Sequence, residues 1–340
     1  MLKCARMRRI ATVVGAVAAG VAVERFLIAA PRYRGPRSDH FDGVKFHNLD
    51  PGWQSERSFL KWRMERVAGV WPRWIDDPPG ERPQHRVGDK RLRVTWINHS
   101  TTLLQFDNVN ILTDPIWSLR CSPVQFAGPK RHRAPGIRFD DLPPIDAVLV
   151  SHNHYDHCDL PTLRRIDTQR IFTPLGNGAV IGRRAIELDW WEAAKLRDDI
   201  TITCVPSQHF AARGLSDRDA NLWGGFVISA PSGNIYFAGD TGWGGHFAEI
   251  AKRFAPIRLA LLPIGAYLPR WFMKPAHIDP NEAVDAHKVL GAHSSVAIHF
   301  GTFNLGDDGE SQPGDDLRRA LDAKGVTSFH IIKHGEGFEC

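Results

Sequence analysis

Residues 151–157, Ser-His-Asn-His-Tyr-Asp-His (SHNHYDH), decide how this chain is read. They follow an uninterrupted apolar run at 147–150 (AVLV), which reads as a strand buried on both faces. At the end of such a strand the chain leaves the sheet and can aim side chains at a cavity. Three imidazoles and one carboxylate, at His152, His154, Asp156 and His157, make a poor core and a poor turn. They make a good ligand set for a borderline cation. If the segment turns after His154, then His152 and His154 face one ion while Asp156 and His157 face another.

Two ions need more ligands than these four, and three residues at other strand ends supply candidates. His209 lies beyond the run at 200–205, in PSQHFAARG; Asp240 ends the run at 235–238, in YFAGDTGWG; His299 sits in AIHFGTF, within the run at 296–300. Each alone has an ordinary reading, as a turn histidine, a helix-capping aspartate or a core histidine. Their recurrence at strand ends behind the first motif makes the metal reading. Further strands are expected at 92–97, 102–106, 109–112, 225–229 and 259–262, and helices at 160–165, 245–254, 280–290 and 317–323. Hairpin-like strands mixed with single helices predict an α/β layered sandwich with the helices outside, and no short-period repeat is visible.

The chain has 340 residues, 43% apolar and 24% charged, an ordinary globular composition. Its net charge of +5 is unevenly spread. Residues 1–37 carry eight of the 43 basic groups and one of the 38 acidic ones, so the other 303 residues hold 35 basic groups against 37 acidic. The body is close to neutral, which argues against a nucleic-acid partner. Cys4, Cys121, Cys158, Cys204 and Cys340 are odd in number and form no C-x-x-C pair, which excludes a disulfide scaffold and a zinc ribbon.

The basic arm precedes an apolar run at 10–23, shorter than the roughly 20 residues of a membrane span. A basic stub and a short apolar stretch read as a signal peptide or an uncleaved anchor, giving membrane association through residues 1–37; the alternative is a surface tail on a cytoplasmic protein. Basic residues at both ends leave the side of the membrane open. Residues 31–50 read as an extended linker. Over 55–71, Leu60, Met64, Val67, Ala68 and Trp71 form a helical stripe. It suits a helix packed on the main domain or, with Trp53, Trp62 and Trp74 nearby, a helix on a membrane surface. The expected organisation is an anchor or signal segment and linker at 1–37, an extension with an amphipathic helix at 38–85, and the main domain at 86–340.

The motif HxHxDH followed by a later His, Asp and His resembles the metallo-β-lactamase superfamily. The likeness implies an αβ/βα four-layer sandwich and a dinuclear site. TWINHSTTL (95–103), ILTDPIW (111–117), ELDWWE (187–192), PIGAYLPRWFMKPAHIDPNEAV (263–284) and KHGEG (333–337) resemble the N-acyl-phosphatidylethanolamine-hydrolysing phospholipase D group, over roughly residues 45–340. The resemblance implies one zinc on His152, His154 and His209, a second on Asp156, His157 and His299, and Asp240 between them. Iron and manganese also suit such ligands. It makes His277 an additional active-site residue and gives Asp156 a part in orienting the nucleophile. Two cations lower the pKa of bound water, and the implied reaction is hydrolysis of a phosphodiester lipid to phosphatidic acid and an N-acylethanolamine. Leu268, Trp271, Phe272 and Met273 near His277 suit a lipid's approach. The rival expectations are a lactonase or soluble phosphoester hydrolase with the same metals, and a non-catalytic metal-binding envelope protein. The sequence sets no oligomeric state.

Overall fold

The computed structural model describes residues 24, 28–50 and 58–340; the apolar run at 10–23, the basic groups before it and Trp53 lie outside the described residues. Runs of fully buried residues build two seven-stranded sheets. The first holds β1 (Leu92–Asn98), β2 (Thr101–Phe106), β3 (Val109–Thr113), β4 (Ala147–Leu149), β5 (Ile171–Pro174) and β6 (Ala185–Leu188), with β14 (Gly337–Glu339) on its outer edge beside β1. The second holds β7 (Ala193–Arg197), β8 (Ile200–Val205), β9 (Gly225–Ala230), β10 (Gly233–Phe237), β11 (Ile257–Pro263), β12 (Ala292–Ile298) and β13 (Phe329–His330). Each sheet begins as an antiparallel meander, β1 to β3 and β7 to β10. Each continues as parallel strands, β3 to β6 and β10 to β13. The two halves thus repeat one plan that short-period similarity in the sequence does not betray.

The sheets pack face to face through Trp96, Leu104, Phe106 and Phe172 of the first and Ile202, Phe226, Phe237 and Leu261 of the second. Parallel strands must be covered on both faces. On the first sheet, α2 (Leu160–Arg165) lays Leu163 over Leu103, Leu112 and Val148. On the second, α4 (His246–Phe254), α6 (Pro280–Leu290) and α7 (Gln312–Lys324) bury Phe247, Val284 and Leu317 against Val227, Tyr236 and Leu262. The result is the expected αβ/βα sandwich. Two short helices, α3 (Gly178–Ile181) and α5 (Arg270–Met273), complete the domain.

The N-terminal extension departs from expectation in two places. Residues 31–50 are no free linker, because Phe41 and Phe46 are each 2% exposed and join the core between the sheets. His40 stacks on Trp190 at 4.4 Å and bridges Asp39 and Asp189. The helix expected over 55–71 is α1 (Phe59–Glu65), capped by the Ser58 hydroxyl, and Arg66 ends it by turning to an extended backbone. Its apolar stripe faces outward: Leu60 is 69%, Met64 79% and Val67 80% exposed. Trp62 holds the helix instead, stacked on Phe272 at 5.2 Å with its indole N–H donating to Asp307. Arg66 adds an ion pair to Asp307 and hydrogen bonds to Asn304 and Gly306. A large flat ring with a polar handle, aided by one guanidinium, outweighs the stripe's periodicity. Among the described residues, no helix is long and apolar enough to cross a membrane.

Candidate metal centre

The candidate ligands hang from strand ends at one edge of the sandwich. His99 follows β1, Asp114 follows β3 and the SHNHYDH segment follows β4; His209 follows β8, Asp240 follows β10 and His299 follows β12. Three of these residues have left-handed backbone, His99 (φ 46°), Asp114 (φ 32°) and His299 (φ 62°). Residues other than glycine rarely take it, and such strain is stored where side chains must be aimed. Arg213 braces the segment after β4, donating to the carbonyls of Asn153 (2.9 Å) and Cys158 (3.0 Å). His277 is placed by α6, whose capping box pairs Asp279 with Glu282, and by Arg270, which donates to the His277 carbonyl at 2.9 Å.

The seven residues expected as ligands come together: His152, His154 and His209 form one group, Asp156, His157 and His299 lie with His99 in another, and His152, His157 and Asp240 form a third that joins them. His152 Nε2 lies 2.7 Å from His154 Nδ1, and His209 Nε2 lies 3.3 Å from the same atom. On the other side, Asp156 Oδ2 stands 3.2 Å from His157 Nε2 and 3.5 Å from His299 Nε2. Asp240 Oδ2 lies between the groups, 3.2 Å from His157 Nε2, 3.0 Å from His299 Nε2 and 3.8 Å from His209 Nε2. Bonds of about 2.1 Å to one ion put adjacent ligand atoms roughly 3.0–3.5 Å apart, the spacing of most of these pairs. The Nε2 atoms of His157 and His299 are buried without a hydrogen-bond partner, although carboxylate oxygens of Asp156 and Asp240 stand 3.0–3.5 Å away. Atoms that converge without bonding one another fit a cation at the point of convergence.

Hydrogen bonds behind the ligands settle which nitrogens face the centre. The Ala276 carbonyl can only accept, so His209 donates to it from Nδ1 (2.9 Å) and turns the lone pair of Nε2 inward. His157 donates from Nδ1 to Asp114 Oδ2 at 2.6 Å. Ser151 gives its hydroxyl proton to Asp114 at 2.6 Å, so its oxygen accepts from His152 Nδ1 at 2.9 Å. Three imidazoles are thereby fixed in the tautomer that a metal requires. Burial holds His152 and His209 well below the ordinary imidazole range and His154 at about 4, so all three are neutral. Burial raises the carboxyls of Asp156 and Asp240, but His157 and its neighbours overcome it and hold both well below the usual range. Burial likewise lowers His157 and His299, and the facing carboxylates reverse it, lifting His157 well above its ordinary value and His299 to about 9. The site has a strong demand for positive charge, which protons or a metal can meet.

His277 borders the cluster, Nδ1 at 3.8 Å from Asp240 Oδ2 and its ring 5.1 Å from that of His209. Two residues carried by the quoted motifs had no role assigned from sequence: Asp114 in ILTDPIW, and His99 in TWINHSTTL, whose Nε2 lies 2.9 Å from Asp156 Oδ2. Their signal was position, since each ends a strand as the recognised ligands do.

The profile of the Beta-lactamase superfamily domain matches residues 109–300. N-acyl-phosphatidylethanolamine-hydrolyzing phospholipase D 1 of Caenorhabditis elegans is 40% identical over 269 residues, 73% of this chain and 76% of that one. The mitochondrial N-acyl-phosphatidylethanolamine-hydrolyzing phospholipase D of Saccharomyces cerevisiae is 34% identical over 236 residues, 66% of this chain and 50% of that one. The metallo hydrolase Igni18 of Ignicoccus hospitalis shares the fold, with a TM-score of 0.56 and 22% identity over 74% of this chain and 98% of its own. With two meander-and-parallel sheets and a His/Asp cluster at their shared edge, the chain belongs to the metallo-β-lactamase superfamily of metal-dependent hydrolases, beside the N-acyl-phosphatidylethanolamine-hydrolysing phospholipases D.

Proposed function

We propose that the protein is a zinc-dependent phosphodiesterase of phospholipase D type, cleaving N-acyl-phosphatidylethanolamine-like lipids at a membrane surface. His152, His154 and His209 would hold one ion and Asp156, His157 and His299 the other, with Asp240 within reach of both groups. When bound, two such cations neutralise phosphate charge and lower the pKa of water so that a nucleophile is present near neutral pH. Asp156 and Asp240 offset part of the charge of the cations, and the fixed tautomers of His152, His157 and His209 keep lone pairs turned inward. His277, beside Asp240, would hold a phosphate oxygen or give a proton to the departing alkoxide. Water would add to phosphorus, the bond to the ethanolamine oxygen would break, and the proton would end on the N-acylethanolamine.

The observation that carries the lipid reading is the outward apolar face that α1 shares with α5, the helix just ahead of His277 in the chain. Phe59, Leu60 and Met64 of α1 are 63%, 69% and 79% exposed, and Trp271 of α5 is 43% exposed. α1 is stacked through Trp62 on Phe272 of α5, and His277 donates its backbone N–H to Met273 at the end of that helix. α1 carries Lys61 and Arg63 against Glu65, a net +1 that suits an anionic lipid surface. Glu24 accepts from the backbone of Leu215 and Ser216, in the loop that carries Arg213.

The test is an assay on N-acyl-phosphatidylethanolamine in mixed micelles, with chelator and with zinc restored, and products identified by mass spectrometry. Phosphatidic acid and an N-acylethanolamine, lost on chelation and regained with zinc, are expected. Zinc-loaded protein that leaves the lipid intact but opens lactones or soluble phosphoesters would overturn the lipid reading.

A further inference from the structure

The triplet Asn98-His99-Ser100 joins β1 to β2, and its histidine is 1% exposed. Both backbone polar groups of His99 are committed. Its N–H donates to Thr302 Oγ1 at 2.9 Å, and its carbonyl accepts from the Trp96 indole at 2.8 Å and from the His299 N–H at 2.9 Å. The residue is thus fastened to the strand end that carries His299, and its ring lies 4.1 Å from the His299 ring and edge-on to Phe303 at 5.4 Å. Its two ring nitrogens differ. Nδ1 is buried with no hydrogen-bond partner, whereas Nε2 lies 2.9 Å from Asp156 Oδ2. A neutral imidazole has one N–H, and here one nitrogen alone has an acceptor, so the proton belongs on Nε2.

A residue kept only to fill the core would not carry a buried nitrogen without a partner, because an apolar side chain fills the same space without that cost. The chain retains a donor at this spot, inside a left-handed turn, aimed at one oxygen of one carboxylate. We propose that His99 is a positioning residue of the metal centre, its Nε2–H holding the Asp156 carboxylate at the angle from which it serves the ion between His157 and His299. The inference rests on the two-metal reading above. A charge-assisted hydrogen bond of this kind both orients a carboxylate and limits how far it can rotate away when the ion leaves. The other group, His152, His154 and His209, has its own supports in Ser151 and the Ala276 carbonyl and does not involve His99.

The test compares His99→Gln, which keeps an N–H donor near the position of Nε2, with His99→Leu, which removes it. Zinc stoichiometry and affinity are read by competition with a chromophoric chelator, without any substrate, on the full chain. The expected result is one ion bound about 10–100-fold more weakly in His99→Leu, the other ion unchanged, and affinity within a few-fold of wild type in His99→Gln. Near-UV circular dichroism of the metal-free proteins checks the fold. If His99→Leu does not fold, His99→Asn, whose amide is too short to reach Asp156, takes its place with the same expectation. Wild-type affinity for both ions in the leucine or asparagine variant would overturn the proposal, leaving His99 a packing residue. Equal loss in the glutamine variant would also overturn it, by making His99 a ligand in its own right. A wild-type chain that takes up a single ion defeats the two-metal reading itself, whatever the variants do, while a failed lipid assay leaves these measurements untouched.

Discussion

Asp240 has the least replaceable position among the site residues, since one oxygen faces His157, His299 and His209 at 3.0–3.8 Å. Asp240→Asn keeps its volume and removes the charge that two cations would share. The expected outcome is loss of one ion per chain and a fall in turnover beyond the roughly 10–100-fold that removal of an outer hydrogen-bond partner costs. Metal analysis beside the lipid assay checks it, and two ions with undiminished turnover would contradict the assignment. Asp114→Asn is the milder case. The amide can still accept from Ser151, but an NH2 group facing His157 Nδ1–H sets donor against donor and favours the wrong tautomer. Zinc affinity should fall about 10–100-fold with the fold intact, read by the same chelator competition. The difference between these two aspartates explains what the sequence could disclose. His152, His154, Asp156 and His157 declare themselves by chemical type at close spacing, and Asp240 by repeating their place at a strand end. Asp114 and His99 act across 43 and 57 positions, on His157 and Asp156, and no local pattern records such a partner.

At the scale of elements, strands were easier to anticipate than the faces of helices. Buried parallel strands such as β4, and β11 from Leu259 to Leu262, carry continuous apolar runs. β5, β6, β7, β13 and β14 lie outside the expected strands: β6, β7 and β14 are edge strands with at most one buried residue each, β13 has two residues, and β5, though buried, is only four residues and ends in proline. α1 misled for a different reason: its stripe is real, but periodicity says only that a helix has an apolar face, and Trp62 and Arg66 decide which face meets the protein. The outward stripe has a measurable consequence. Full burial of a Leu or Met side chain stabilises by about 1.5–3 kcal/mol, so Leu60→Asp with Met64→Asp should weaken partition onto anionic vesicles by at least about tenfold. Melting temperature and turnover of a micelle-free soluble phosphodiester should stay as in wild type, because both side chains are exposed and leave the Trp62 and Arg66 contacts of α1 in place. Unchanged sedimentation with vesicles would show that this face is not the one that meets lipid.

For the molecule as a whole, the centre joins halves that the chain builds separately. His99, Asp114 and the segment after β4 come from the first sheet, while His209, Asp240 and His299 come from the second. The sequence shows both groups of residues, yet the division into two sheets with the same plan is visible only once strands are paired. An ion held by residues of both sheets would therefore stabilise the sandwich by mass action, about 4 kcal/mol for a site at a thousandfold excess of free ion over its dissociation constant. The size of that effect should depend on pH, with a sign fixed by the centre itself. Without metal, the charges of Asp156 and Asp240 keep His157 protonated well above its ordinary range and His299 protonated up to about 9. An ion must displace those protons, because the nitrogens that face it have to offer lone pairs. Affinity then rises with pH as long as the metal-free protein still holds the protons, by about 1.4 kcal/mol per pH unit for each proton displaced. Thermal melts with zinc and with chelator, run from pH 6 to pH 8, should show a gap that widens steadily with pH. Calorimetric titration with zinc in buffers of different ionisation enthalpy should report the proton release directly. A gap of constant width with no proton release would mean that the ion is bound elsewhere than between His157 and His299, since no ion can occupy that place while both imidazoles keep their protons.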